Sequence, residues 1–223
     1  HRLLVTSATY RQSSHVSGEL IQGDPQNRLL ARGPRHRLDA ETIRDTALAT
    51  SGLLVEKVGG PSVYPYHPKG LWMELNNRHN YSRPYKQDTG EKLYRRSIYT
   101  YWKRTVPPPS MATFDAPERE FCLVRRSRTN TPLQAFVMLH DPQFVEAAYH
   151  LAHEMIRAAG DPEKRIEHGF RLVTSRFPNQ KEKLVLSRLL KERLVIYGKD
   201  TQASKMLLSV GESKKNSNLP DSE

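Results

Sequence analysis

The stretch TPLQAFVMLHDPQFVEAAYHLAHEMIRAAGDPEKR, residues 131–165, decides the fold class. Proline at the first helical position loses no hydrogen bond, and the side chain before it can accept from the free N–H groups of the first turn. The stretch contains three such pairs of a capping residue and proline: Thr131-Pro132, Asp141-Pro142 and Asp161-Pro162. Each pair predicts the start of a helix.

Side-chain spacing supports these helices. Thr131 and Gln134 fit a capping box, in which each residue bonds the backbone N–H of the other. One face of the helix after Asp141 is apolar and predicts a core contact. That face consists of Phe144, Ala147, Ala148, Leu151, Ala152 and Met155. Two further helices are predicted at about 180–197 and 201–209.

Helical patterns also occur near the start of the chain. Residues 1–9 are typical of the last turns of a helix, and residues 11–37 of an ordered loop broken by Gly and Pro. Asp39 then caps a helix that Gly52 ends.

The middle of the chain, residues 53–130, is rich in Pro, Gly and Arg and predicts irregular structure. Within it, residues 93–104 (LYRRSIYTYWKR) carry aromatic and β-branched side chains, which favour a strand. Alternation along that strand would separate two sets of side chains. One face would carry Arg96, Ile98 and Thr100, and the other Arg95, Ser97, Tyr99 and Tyr101.

We therefore predict a mainly α fold with a helical C-terminal part, an irregular Arg- and Pro-rich middle segment and a few short strands. The helical part covers residues 131–212 and the irregular segment residues 53–130. We expect a single domain over residues 1–212, followed by a frayed tail at 213–223.

Composition limits the classes of function. The formal net charge is +11, and residues 95–128 hold eight Lys or Arg against three acidic residues. Such a surplus favours polyanionic partners. Cys122 is the only cysteine, which excludes an internal disulfide, a paired-cysteine zinc site and a C-x-x-C-H haem attachment. No apolar run approaches the roughly 20 residues of a membrane helix.

The segment 94–130 holds the candidate binding residues. Arginine presents a planar fork to carboxylate, phosphate or sulfate, and aromatic rings give stacking surfaces. The candidates are Arg95, Arg96, Tyr99, Trp102, Arg104, Arg119, Arg125, Arg126 and Asn130. The alternative is structural, because arginines can also hold irregular chain by binding its carbonyls and carboxylates. An open pocket beside unpaired arginines would favour binding, whereas internal pairing would favour the structural role.

Three weaker chemical hypotheses remain open. Asp115 and Glu120 could act as the acid/base pair of a hydrolase. Cys122 could act as a nucleophile, but a small buried residue next to Phe121 and Leu123 is the favoured interpretation. For a metal, Glu146, His150 and His153 lie at i, i+4 and i+7 on one predicted helix face. An exposed polar helix face explains the same three residues.

Several ordered motifs resemble a known family. They are LLVTSATYRQSS in residues 3–14, NRLLAR in 27–32, RLDAETIRD in 37–45, GGPSV in 59–63, YRRSIYTYWKRT in 94–105 and RRSRTNTPLQA in 125–135. Together they resemble the domain of unknown function 1553, found in planctomycetes and their relatives, over nearly all of residues 1–212. His140 departs from the family pattern, which more often has Asn there, and this argues against an invariant role for His140.

The resemblance implies a C-terminal module of a large exported protein. Members of this family usually carry an N-terminal cytochrome c-like domain and a second uncharacterised domain. This implies an extracytoplasmic location, no cofactor in this fragment and haem c in an upstream domain. The implied partners are that cytochrome domain or an anionic polysaccharide.

Three functions stay open. The first is a redox or polysaccharide-associated module of such a cytochrome c-linked protein. The second is a polyanion-binding module, for a sulfated glycan, that uses residues 94–128. The third is a hydrolase-like enzyme with an Arg-lined carboxylate site. Nucleic acid is not expected as a partner, because the chain has none of the common DNA or RNA recognition motifs.

Overall fold

A computed structural model describes residues 1–74 and 84–214 and confirms a mainly α fold. Contacts divide the chain into two compact units, His1–Leu38 and the remainder from Asp39 onwards. The single domain expected over residues 1–212 stays a prediction. Within the described residues, no helix combines the length and the apolar character that crossing a bilayer demands.

The first unit contains two short helices, α1 (Arg2–Thr6) and α2 (Gly18–Gly23). The first agrees with the helix end predicted at residues 1–9. The second corrects the loop predicted at 11–37: the Ser17 side chain accepts a hydrogen bond from the Leu20 N–H and so caps a short helix within that range.

The second unit contains the remaining helices. They are α3 (Ala40–Thr50), α4 (Leu71–Glu74), α5 (Pro109–Thr113), α6 (Pro132–His140), α7 (Pro142–Ala158), α8 (Pro162–Thr174), α9 (Gln180–Lys199) and α10 (Thr201–Leu208). Two 3₁₀ helices, Gly90–Tyr94 and Ser97–Tyr99, lie in the irregular segment. Helix α3 contacts α5, α7 and α8, so it lies at the centre of this unit.

The predicted helix starts are confirmed. Asp141 accepts a hydrogen bond from the Gln143 N–H at 2.9 Å, and Asp161 accepts one from the Lys164 N–H at 3.1 Å. The Thr131 N–H donates to Gln134 Oε1 at 3.4 Å. Local capping chemistry alone was therefore enough to place α6, α7 and α8.

The core is small and lies in two clusters. One contains Ala40, Met111, Phe114, Ala116 and Phe144, and the other contains Leu48, Leu93 and Tyr94. On α7, the predicted core face is correct in part. Phe144 and Ala147 are buried and Leu151 and Met155 are half-buried, whereas Ala148 and Ala152 are exposed.

The strand predicted at residues 93–104 is wrong. The backbone there forms the two 3₁₀ helices and only isolated bridges: Val55 with Arg95 and Val63 with Thr100 are parallel, and Lys103 with Val106 is antiparallel. The predicted separation of faces fails as well, because Thr100 is buried while Arg96 and Ile98 are exposed. A strand does not form because a buried side chain donates hydrogen bonds to backbone carbonyls of this stretch, and pairing with a neighbouring strand would require the same carbonyls.

That side chain is Arg44 of α3, which is 4% exposed. Its Nη2 donates to the Leu93 carbonyl and its Nη1 to the Arg95 carbonyl, both at 2.8 Å. Its Nη1 also donates to Ser97 Oγ at 3.2 Å, and its Nε to Gln143 Oε1 at 2.6 Å. Burial lowers the pKa of Arg44 to about 10, so the group is still charged at neutral pH.

A second buried charge, Glu146 on α7, joins three parts of the unit. Its Oε2 accepts from the Tyr66 hydroxyl at 2.9 Å. Its Oε1 accepts from the Tyr94 hydroxyl at 2.9 Å and from the Ser213 N–H at 2.7 Å. Gly211 has φ +92°, and a Cβ there would clash with the Glu146 carboxylate, so this approach requires glycine.

These bonds anchor Ser213, the first residue of the predicted frayed tail. Residues 215–223 of that tail lie outside the described residues.

We predict that Arg44→Met destabilises the protein by about 3–5 kcal/mol, because it leaves buried acceptors without a donor. The free energy of unfolding, measured in urea, tests this. The matched control is Arg96→Met, which removes an exposed ion pair with Glu56 and should change stability by less than about 1 kcal/mol. Equal losses in the two variants would contradict the structural role of Arg44.

A second prediction concerns acid stability. Burial raises the pKa of Glu146, but the hydrogen bonds from Ser213, Tyr66 and Tyr94 outweigh it and place the pKa below its ordinary 4.5. A carboxylate whose pKa is lower in the folded than in the unfolded protein stabilises the folded state at pH values above the ordinary pKa. This stabilisation is lost as the pH falls through the pKa of the folded state. We expect Glu146→Gln to cost about 1–3 kcal/mol at pH 7, with the difference from wild type shrinking below pH 4.5.

Urea unfolding at a series of pH values measures this difference. Glu154→Gln is the control, because Glu154 lies exposed on the same helix and pairs with Arg157 at 3.5 Å. A Glu146→Gln difference that does not depend on pH would be incompatible with an ionised buried carboxylate.

Candidate functional site

Arg95, the first candidate binding residue, has a structural role. It is 5% exposed, and its guanidinium donates to the carbonyls of Lys57 at 2.9 Å and Pro61 at 3.1 Å and also to that of Gly59. The guanidinium also lies 3.7 Å above the centre of the Tyr99 ring. Arg95 and Tyr99 therefore hold the loop at residues 57–61.

Two further candidate arginines bind carboxylates. Arg96 lies 3.1 Å from Glu56 on the surface. Arg126 donates to both carboxylate oxygens of Glu41, at 2.7 and 3.1 Å, and lies 3.9 Å from Asp39. The pair between Arg126 and Glu41 ties the irregular segment to the first turn of α3.

The remaining candidates are more open. Arg119 lies over the Trp102 ring, 5.0 Å from its centre. Arg104 and Arg125 are exposed, as are Asn130 and the non-candidate Arg128 of the same segment. The three arginines have no hydrogen bond or ion pair within residues 1–74 and 84–214. The arginines of this segment therefore fall into two groups: some bind internal partners, which favours the structural role, and three are exposed to solvent, which leaves a binding role open.

A cavity of about 270 Å³ does lie in this segment. Its lining includes Asp115, Glu118, Arg119 and Glu120, but none of the three unpaired arginines. The Asp115 carboxylate accepts from the Thr129 N–H at 2.8 Å and from its hydroxyl at 2.9 Å. The hydrolase pair thus borders one cavity, with Asp115 engaged by Thr129, and stays a prediction.

Cys122 corrects another expectation. It is exposed rather than buried next to its apolar neighbours.

The three metal candidates on α7 do not form an exposed polar face either, because Glu146 and His153 are buried. His150 Nε2 lies 2.7 Å from Ser213 Oγ, and the His153 ring contacts the Tyr149 ring at 4.5 Å. Within the described part of the chain, no three His, Cys, Asp or Glu side chains are grouped closely enough to hold a metal ion.

A different group of residues borders a second cavity. Five rings, here called the aromatic cluster, come together from separate parts of the irregular segment: Tyr64, His67, Trp72, Tyr85 and Tyr101. Tyr64 stacks on Tyr101 with centres 4.7 Å apart, and Tyr85 lies 4.5 Å from His67 and 5.0 Å from Trp72.

Backbone contacts fix the rings in place. The Tyr85 hydroxyl donates to the Pro65 carbonyl, and the Tyr64 N–H donates to Asp88 Oδ2 at 2.8 Å. Gly70 adopts φ +84°, a conformation that favours glycine, just before α4, which carries Trp72.

The aromatic cluster borders a cavity of about 280 Å³. Its lining includes His67, Lys69, Trp72, Met73, Tyr85 and Gln87. Two buried nitrogen atoms of this lining, His67 Nε2 and Trp72 Nε1, have no hydrogen-bond partner among the described residues. Buried polar atoms are nearly always satisfied, so two of them beside one cavity indicate a place for a ligand or water.

The chemistry of the two nitrogens can be assigned. Burial lowers the pKa of His67, so the ring is neutral at neutral pH. His67 Nδ1 lies 3.3 Å from the Pro68 carbonyl, which can only accept, so Nδ1 carries the proton and Nε2 is an acceptor. The indole nitrogen of Trp72 is a donor. The cavity therefore offers one acceptor and one donor.

A positive charge lies beside this pair. The Lys103 ammonium lies 4.5 Å from the centre of the Trp72 ring. Tyr101 and Lys103 belong to the segment singled out from the sequence, whereas Tyr64, His67, Trp72 and Tyr85 were missed. The signal that could have found most of them is the density of rings in SVYPYHPKGLW, residues 62–72.

Comparison with known proteins bears on the family alone. No curated protein and no solved structure matches the chain. The family described as protein of unknown function (DUF1553) matches residues 1–190, which is most of the chain and includes the aromatic cluster. The chain therefore belongs to the DUF1553 family.

Proposed function

We propose that this chain is a saccharide-binding module that holds a sulfated sugar residue in the cavity of the aromatic cluster. One observation carries the proposal: the acceptor His67 Nε2 and the donor Trp72 Nε1 border the same aromatic cavity, and neither has a hydrogen-bond partner among the described residues. A sugar hydroxyl is both donor and acceptor, so hydroxyls of one ring can satisfy both atoms.

The energetics favour an occupied cavity. Each buried polar atom without a partner costs about 1–3 kcal/mol, and a ligand that supplies the partners recovers this free energy on binding. Rings of Tyr and Trp add apolar area to which the C–H face of a sugar can bind. The volume of about 280 Å³ is at the small end of ligand sites, which suits one or two sugar rings.

The charges favour an anionic sugar over a neutral one. Lys69 lines the cavity, and the Lys103 ammonium lies over the Trp72 ring. The neighbouring Arg104 is exposed and has no ion pair within the described residues. A sulfate group accepts charge-assisted hydrogen bonds from such cations. This proposal retains the expected class of ligand but moves its site from residues 94–128 to the aromatic cluster.

We also infer, from the family resemblance, the setting in which the module works. The protein would be exported and linked to a cytochrome c domain, as in planctomycete members, with haem c bound outside this chain. Absorption of the haem in the intact protein, purified from its host, tests this setting independently of saccharide binding.

The binding prediction uses His67→Phe, which keeps a ring of similar shape and removes the acceptor. We expect its affinity for a sulfated disaccharide to fall about tenfold, equivalent to about 1.4 kcal/mol. Stability should stay within about 1 kcal/mol of wild type, because no satisfied buried acceptor is left without its donor. Titration calorimetry and urea unfolding measure the two quantities.

The charge is tested separately with Lys103→Gln. This variant should lose affinity for the sulfated disaccharide, keep its affinity for the desulfated one and show a weaker dependence on salt. Lys191→Gln, on the exposed surface of α9, is the matched control. Unchanged affinity of His67→Phe for both sugars would refute the proposal.

A further inference from the structure

Residues 121–140 form a cationic and apolar segment whose side chains are mostly exposed. It contains three arginines and no Asp or Glu. Its exposed large apolar side chains are Phe121, Leu123, Val124, Leu133, Phe136, Met138 and Leu139. Exposed apolar groups in such density mark an interaction surface rather than ordinary protein surface.

The way α6 is attached explains this exposure. Gln134 is buried and its amide donates to the Thr113 carbonyl at 3.0 Å, while Val137 packs against the first core cluster. These two residues share the inward edge of the helix. The remaining apolar side chains, including Phe136 and Leu139, are left to solvent at 56% and 70% exposure.

The loop before α6 has the same character. Phe121 is 68% exposed and Val124 is fully exposed. Arg125 and Arg128 follow directly, exposed and without an ion pair within residues 1–74 and 84–214. Arg126 is bound to Glu41, so it anchors the loop rather than adding a free charge.

We propose that residues 121–140 bind the surface of a membrane that contains anionic phospholipid. The apolar side chains of the loop and of α6 enter the interfacial region, and Arg125 and Arg128 contact headgroup phosphates. Peripheral binding of this kind scales with buried apolar area and with attraction to anionic lipid. The segment has both, and its charge is of one sign throughout, which complements a lipid surface of uniform negative charge.

The experiment measures co-sedimentation of the protein with vesicles. We expect binding to vesicles of phosphatidylcholine with roughly one third phosphatidylglycerol to exceed binding to pure phosphatidylcholine at least tenfold and to weaken as salt rises. Val124→Asp should lower the partition coefficient about tenfold or more. Val58→Asp is the matched control, because Val58 is equally accessible at 89% exposure but lies outside the segment.

The charges are tested with the double variant Arg125→Gln and Arg128→Gln, which should lose about tenfold or more in partition, since each cation near the surface contributes about fivefold. Lys191→Gln with Arg193→Gln removes the same charge from α9 and should bind as wild type does. Arg125 and Arg128 are both exposed, so the free energy of unfolding measured in urea should not change.

Three results would overturn the inference. They are the absence of binding to both kinds of vesicle, equal binding to the neutral and the anionic vesicles, and an equal fall of the partition coefficient in Val124→Asp and Val58→Asp. Binding to an acidic peptide without binding to anionic vesicles would likewise assign the surface to a protein partner. None of these outcomes depends on the aromatic cluster, which these variants leave intact.

Discussion

The buried guanidinium of Arg44 constrains everything around it. A charge withdrawn from water must have all its hydrogen bonds met inside the protein, so the groups that meet them are held in fixed positions. Arg44 projects from α3, binds Gln143 of α7 and takes the carbonyls of Leu93 and Arg95. One side chain therefore joins two helices to a segment that has almost no regular structure of its own.

The position of the aromatic cluster follows from this attachment. Once Leu93 and Arg95 are fixed, the chain beyond them pairs briefly with residue 63: the Val63 N–H donates to the Tyr99 carbonyl and the Tyr101 N–H to the Val63 carbonyl, both at 2.8 Å. That pairing brings Tyr64 against Tyr101, which is the stacked pair of the cluster. The same attachment places Tyr94 where its hydroxyl reaches Glu146.

What could be predicted from the sequence was local. Caps such as Asp141 act on N–H groups within the next few residues, so α6, α7 and α8 could be located from neighbouring residues alone. For Arg95 the sequence left both a ligand-binding and a structural role open, and the side chain binds carbonyls of residues 57–61, far back in the chain. Nothing in the local pattern of residues 94–104 indicates whether a guanidinium will lie close to such carbonyls. For the same reason, the sequence could not show that Arg44 binds the carbonyls that a strand there would need for pairing.

The contrast between satisfied and unsatisfied buried groups supports the choice of site. Glu146 and Arg44, the costliest groups to bury, have their oxygens and nitrogens matched by internal partners. Among residues 1–74 and 84–214, Thr100 Oγ1 and Arg95 Nε also lack a partner, but neither residue lines the cavity beside Trp72. At that cavity an acceptor and a donor lie together without a partner among the described residues. Because a sugar ring carries several hydroxyls, each both donor and acceptor, one ligand can complete both atoms, and this singles out the cavity as the binding site.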